Sequence, residues 1–184
     1  IPSSLVGSEM CIRDSHIARN ETVDFPEMYR LAVASGRGIG KSALVSWLIL
    51  WFLSTRLGST IIVTANTEQQ LRSRTWAELG KWLTLCVNNH WWEKTATTIK
   101  PAKWFEEALQ KDLKIDTGYY YAQAQLWSEE NPDAFAGIHS SYGVCLIMDE
   151  ASGIPGPIYS VSEGFFSEPT KDRYWFTFSN PRRN

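Results

Sequence analysis

The sequence predicts an α/β domain with a mostly parallel central sheet flanked by helices, and three observations carry that prediction. From Tyr29 onward, strand-like and helix-like segments alternate, which is the pattern of successive βα units. The strand-like runs "YRLAVAS" (29–35), "STIIVTA" (59–65) and "GVCLIMDE" (143–150) are apolar without alternating, as strands covered on both faces are. A glycine-rich turn follows the first run and an acid pair ends the third. Both fall at strand carboxyl ends, where open α/β sheets bind their ligands.

The elements follow in order. After the first strand and its turn, a helix is expected from about Lys41 to Thr55. It contains the longest apolar stretch, "ALVSWLILWFL" (43–53), too short for a membrane span of roughly 20 apolar residues. A helix buried on all sides is expected instead, with Trp47 and Trp51 packed in the core. The second strand, 59–65, is rich in β-branched residues. "NTEQQLRSRTWAELGKWLTLCVNN" (66–89) reads as a helix capped by Thr67, with Leu71, Leu79, Trp82 and Leu83 as its apolar stripe. "ATTIK" (96–100) reads as a short strand, 101–112 as a helix or an excursion, and "GYYYAQAQLW" (118–127) as a strand. "SEENPDAFAGIHS" (128–140) is turn chemistry with a short helical patch. "PGPIYSVSEGFF" (155–166) is a helix opened by proline, and "RYWFTFSNP" (173–181) a last strand.

Composition excludes several classes. The 184 residues are 43% hydrophobic and 21% charged, an ordinary globular balance. A net charge of −2 gives no global basic excess of the kind that advertises nucleic acid, although a local patch can act within a neutral domain. Cys11, Cys86 and Cys145 lack paired metal spacing and read as reduced thiols; His16, His90 and His139 form no ligand pair. No secretory signal pattern is present. Leu5 to Ser15, "LVGSEMCIRDS", match the translation of a common transposon-based sequencing adapter. Residues 1–15 are therefore expected to be an adapter artefact outside the fold, and the reading frame a fragment assembled from short reads.

Two motifs carry the chemistry. "SGRGIGKS" (35–42) lies between a strand and a helix, as a phosphate-binding loop (Walker A) requires, with Ser35 where the first glycine is usual. Gly36, Gly38 and Gly40 let backbone N–H groups turn inward as an anion nest, Ile39 lies among them, and the helix adds its positive end. Lys41 would reach the outer phosphates of ATP, and the Ser42 hydroxyl would hold Mg²⁺. "VCLIMDE" ends in Asp149-Glu150, a Walker B arrangement: Asp149 for Mg²⁺, Glu150 to orient and deprotonate the attacking water. Arg37 admits two readings, a γ-phosphate contact in cis or a solvated loop arginine.

"ASGRGIGKS", "LIMDEASGIP", "SEENPDAFAGIH" and "FSNPRRN" together resemble the large terminase family, the motors that package DNA into tailed-phage capsids. Loops of that family often lack the first glycine and carry an arginine four residues before the lysine. The resemblance covers nearly all of 16–184 and implies a P-loop NTPase fold of the ASCE type. It implies that Arg37 is the cis arginine, Glu150 the catalytic glutamate, and Ser179, Asn180 and Pro181 the motif coupling γ-phosphate loss to DNA movement. Asn66 and Thr67 face the same cleft or merely cap a helix. Gln69, Arg72, Arg74, Arg182 and Arg183 contact DNA or a neighbouring subunit, or form a solvated face, which spacing favours. The implied cofactors are ATP and Mg²⁺. The implied partners are double-stranded DNA, a portal protein or procapsid, a small terminase subunit and further copies in a ring, in the host cell cytoplasm and without a membrane. An adenine-binding segment is expected within His16 to Met28, and a nuclease domain beyond Asn184, so DNA cleavage by this chain is not expected. A helicase-like ATPase, or an inert docking fragment, is the alternative.

Overall fold

The computed structural model describes residues 28–36, 38–135, 140–168, 170 and 172–180. The adapter-like stretch 1–15, nearly all of the expected adenine segment, Arg37, His139, Pro181, Arg182 and Arg183 lie outside the described residues.

The expected alternation is present. Strand β1 (Tyr29–Ala34) leads through the glycine turn into α1 (Lys41–Thr55) and β2 (Thr60–Ala65). Helix α2 runs as an α-turn Glu68–Gln70, a π-helical segment Leu71–Trp76 and an α-helix Ala77–Leu85. The Thr67 hydroxyl caps it by accepting from the Gln70 N–H at 3.2 Å. Next come β3 (Trp92–Lys94), β4 (Thr98–Pro101), α3 (Lys103–Leu113) and β5 (Tyr121–Ala124). A 3₁₀ turn, Pro132–Phe135, precedes β6 (Val144–Asp149). Helix α4 (Gly156–Ser162) and a 3₁₀ turn, Glu163–Phe166, lead to β7 (Arg173–Ser179).

The sheet order is β1-β7-β6-β2-β5-β4-β3. The first five strands are parallel to their neighbours, and the β3–β4 hairpin extends the sheet antiparallel at one edge. Strand β3 had no sequence signal of its own, since Trp92-Glu93-Lys94 is too short to show a period. Central side chains alternate between two cores. Ile61, Val63, Cys145, Ile147, Phe176 and Phe178 pack beneath α1 and α2; Ile62, Leu146, Met148 and Trp175 pack against Ile158, Phe165 and Phe166. Helices thus cover both faces of the central strands β2 and β6, which are buried at every position and read as unbroken apolar runs. The expectation that β1 is covered on both faces is corrected: as the edge strand it alternates half-buried and exposed residues.

The expected burial of α1 on all sides is corrected at Trp47, whereas Trp51 packs against the core as expected. Helix α1 is not buried on all sides: Val45, Ile49, Phe52 and Leu53 face the core, whereas Trp47 is 49% exposed and lies edge-on to Trp82 at 4.9 Å. Trp51 is half-buried beneath the Arg56 guanidinium, 4.1 Å from its ring centre. A helix on one face of a sheet turns only part of its circumference to the core, so an all-apolar run leaves some residues on the flank. Trp92, by contrast, is buried, with Tyr120 and Phe105 against its ring. Cys86 and Cys145 are free thiols, and burial raises the pKa of both above the usual thiol value.

The turn from α1 to β2 depends on Gly58, whose φ is +83° and whose added Cβ would lie 2.7 Å from the Tyr142 ring. Gly58→Ala is expected to lower the unfolding free energy by about 1–3 kcal/mol. Urea denaturation checks this, and an unchanged midpoint would contradict it.

Candidate active site

Parallel register sets the ends of β1, β7, β6 and β2 along one edge, with Ala34 opposite Ser179 and Ala65 opposite Asp149. Ser35 extends the β1 ladder, its N–H donating to the Ser179 carbonyl at 3.0 Å. Among the described non-glycine residues only Lys114 and Glu150 have positive φ, so Ser35 occupies the usual first-glycine position without needing glycine's freedom. The turn itself does need it, at Gly38 (φ 75°) and Gly40 (φ 91°). Helix α1 then begins with no side-chain cap and no acidic residue in its first turn. Its leading N–H groups and dipole make an anion site.

The acid pair ends β6. Asp149 is buried; its Oδ2 accepts from Thr75 Oγ1 at 2.7 Å and its Oδ1 from the Glu150 N–H at 3.0 Å. Glu150 is left-handed, at φ 51° and ψ 38°, a conformation that costs an unbranched residue about 1–3 kcal/mol and clusters at functional sites. Its Oε2 accepts from Asn180 Nδ2 at 2.8 Å. The Asn180 Oδ1 in turn accepts from Lys41 Nζ, which also donates to the Ser35 and Gly36 carbonyls at 3.1 Å each. One carboxamide therefore joins the loop lysine to the glutamate.

These groups line a cavity of about 530 Å³. The loop and α1 contribute Gly38, Gly40, Lys41, Ser42 and Ala43; the strand ends contribute Asp149, Glu150 and Asn180; α2 contributes Gln70, Arg74 and Glu78. Four of the expected site residues are not on its wall. Ser35 and Gly36 lie behind it as acceptors for Lys41, Ile39 is 42% exposed, and the Ser179 hydroxyl donates to the Asn180 carbonyl at 3.2 Å. Asn66 lies outside the cavity wall and packs against Gly153, where any Cβ would collide with its carboxamide. Arg72 pairs with Glu68 at 2.7 Å on an exposed face.

The α2 wall had not been anticipated in the sequence. Thr75, Gln70 and Glu78 gave no signal, and Arg74 looked like one charge on a polar face. Their placement follows from helical spacing: Leu71, Thr75 and Leu79 at i, i+4 and i+8 share the core face, and Gln70, Arg74 and Glu78, one residue earlier each time, share the cavity face. The segment Leu71–Trp76 that joins the two turns is π-helical.

A glycine turn between strand and helix, facing an acid pair two strands away across an intervening parallel strand, defines a P-loop NTPase fold. The solved large terminases share it. The ATPase domain of the large terminase from Thermus phage P74-26 aligns with TM-score 0.50 at 16% identity, covering 93% of this chain and 70% of that one. The large terminase of a thermophilic bacteriophage in complex with ADP aligns with TM-score 0.54 at 13% identity, over 81% of this chain and 33% of that one. In sequence, the chain is similar to the probable terminase large subunit of Enterobacteria phage P7, 26% identical over 169 residues, 82% of this chain. The chain spans 31% of that relative's length. No family model matches.

The donor set suits Mg²⁺. The described residues hold no group of three or more His, Cys, Asp and Glu side chains that would cage a metal. Ser42 and Asp149 instead offer one hydroxyl and one carboxylate on a shared cavity, and Mg²⁺ is commonly held by one or two carboxylates, waters and substrate phosphates.

Thr75→Val removes the hydroxyl that donates to the buried Asp149 carboxylate. It is expected to cost about 1–3 kcal/mol of stability, most of it recovered by Thr75→Ser. Parallel urea titrations of the two variants provide the check.

Proposed function

We propose that residues 16–184 form the ATPase part of a large terminase, hydrolysing ATP to drive double-stranded DNA into a procapsid. The carrying observation is the Asn180 bridge from Lys41 to Glu150 at the edge of the cavity that the glycine turn and the acid pair share. The fold and the sequence similarity to terminase large subunits support the same reading.

The chemistry follows from the groups present. Gly36, Gly38 and Gly40 and the α1 N-terminus receive the phosphates, and Lys41 exchanges its carbonyl partners for the outer phosphate oxygens. Mg²⁺, held by Ser42 and, through water, by Asp149, would supply charge neutralisation on the phosphates. Glu150 orients a water in line with the terminal phosphorus and accepts its proton. Asn180 registers the event: once Lys41 turns to phosphate, the carboxamide loses its cationic partner and its hold on Glu150 changes. Ser179 and Asn180, with Pro181, thus link phosphate occupancy to the end of β7. Arg37 is read as the cis arginine.

The partners of this reading are duplex DNA, a portal protein or procapsid, a small terminase subunit and further copies in a ring, in the host cytoplasm. Among the described residues no helix is long and apolar enough to cross a membrane.

Mg²⁺-dependent ATP hydrolysis by residues 16–184 tests the proposal. Glu150→Gln is expected to bind ATP and lose turnover by at least about 10²-fold, the low end for a general base. Lys41→Ala is expected to lose binding. Folded protein that neither binds nor hydrolyses ATP would instead favour the docking alternative.

Asn180→Ala frees both Lys41 and Glu150. It is expected to retain ATP binding while losing any stimulation of turnover by duplex DNA. Steady-state rates with and without DNA measure this, and equal stimulation in parent and variant would remove Asn180 from the coupling role.

A further inference from the structure

The α2 wall of the cavity holds a cation that the mechanism above does not use. Arg74 lines the cavity, and among the described residues it has no ion pair and no hydrogen-bond partner for its guanidinium. Glu78 is one turn further along the same wall and would be its natural partner at i+4. That carboxylate is occupied elsewhere, accepting from Trp82 Nε1 at 2.7 Å and pairing with Lys81 at 3.3 Å. One turn the other way, Gln70 also lines the cavity, and its Oε1 is buried without a partner among the described residues. This wall presents a positive charge that the described residues leave unmatched.

Its location identifies the part of the ligand concerned. Thr75, the next residue, donates to Asp149 at 2.7 Å, which pins the Arg74 backbone beside the acid pair. The loop and the α1 N-terminus line the same cavity. A nucleotide bound through the loop directs its terminal phosphate toward Glu150, the residue that must address the attacking water. Arg74 is on that side.

We propose that Arg74 is a nucleotide-contacting residue of this site, placed by the π-helical turn of α2 to meet the γ-phosphate of ATP in cis. The inference rests on the nucleotide-site reading above. A guanidinium there opposes the charge spread over the γ-phosphoryl oxygens and has no contact with ADP. It therefore discriminates ATP from ADP at the α2 wall of the cavity.

The test uses the full chain with Mg²⁺ and two fluorescent probes, an ADP derivative and a non-hydrolysable ATP derivative, together with turnover. Arg74→Gln is expected to weaken the ATP probe by about tenfold or more while leaving ADP within about threefold. Its turnover should fall at least as far, its melting temperature should match the parent, and Arg74→Lys should recover part of the loss. Equal losses for both probes, or no loss for either, overturn the proposal. So does recovery of turnover when Arg74→Gln and Lys41→Ala chains are mixed, which would place the arginine on a neighbouring subunit's nucleotide. Lys41→Ala separates the two levels of inference. If it loses both probes while Arg74→Gln loses neither, only the Arg74 assignment fails. If the parent binds neither probe, the nucleotide-site reading fails and the assignment with it.

Discussion

The Asn180 carboxamide is the interaction on which the site depends. An amide has a donor end and an acceptor end, and here each meets a different charged group: the oxygen takes Lys41, the nitrogen takes Glu150. Neither charge would be equally well placed without the other. The bridge exists because β7 lies between β1 and β6, so its carboxyl end is equidistant in the sheet from the loop and from the acid pair. Strand order is thus the deeper constraint: the crossover that inserts the last strand between the first and the sixth is what brings residue 180 to residue 41.

The left-handed backbone of Glu150 belongs to the same logic. A strand that continued in ordinary extended geometry would direct its next side chain to one face of the sheet. The turn at φ 51° redirects it toward β7, and the strain is retained by three local contacts. The Glu150 N–H is fixed on Asp149, its carboxylate on Asn180, and the following turn is locked where Gly153 meets Asn66. Asn66 therefore acts on the site from outside the cavity, shaping the segment that carries Glu150 rather than touching a ligand.

Much of this was legible in the sequence, for a physical reason. Strands buried on both faces must be uniformly apolar, so β2 and β6 announced themselves, and the acid pair stood at the end of β6. Strand β1 reads as an equally apolar run although alternate residues of it are exposed, and the loop marked its end. Ser35 was legible too, because a small residue in extended geometry continues a strand. What escaped was whatever depended on tertiary placement. Trp47 belongs to an apolar run whose composition says nothing of which flank faces solvent. Trp92 is buried in a short edge strand with no period to read. Thr75 and Arg74 escaped because a π-helical turn leaves no compositional mark. The sequence "LRSRTW" offers the same polar face to a solvated helix as to one lining a cleft.

The π-helical turn bears on both functions of α2. Within it Thr75 reaches the buried Asp149, while its neighbour Arg74 lines the cavity with Gln70 and Glu78 one turn to either side. Opening the turn costs some backbone hydrogen-bond quality. It is offset by a buried hydroxyl–carboxylate bond at 2.7 Å and by the apolar burial of Leu71, Trp76 and Leu79. The consequence is mechanical as well as chemical. Asp149 is tied to α2 through Thr75, Glu150 is tied to β7 through Asn180, and Lys41 joins the loop to the same residue. A group that draws Lys41 away from Asn180 removes the cationic partner of the carboxamide that holds Glu150, while Asp149 keeps its separate bond to Thr75 of α2.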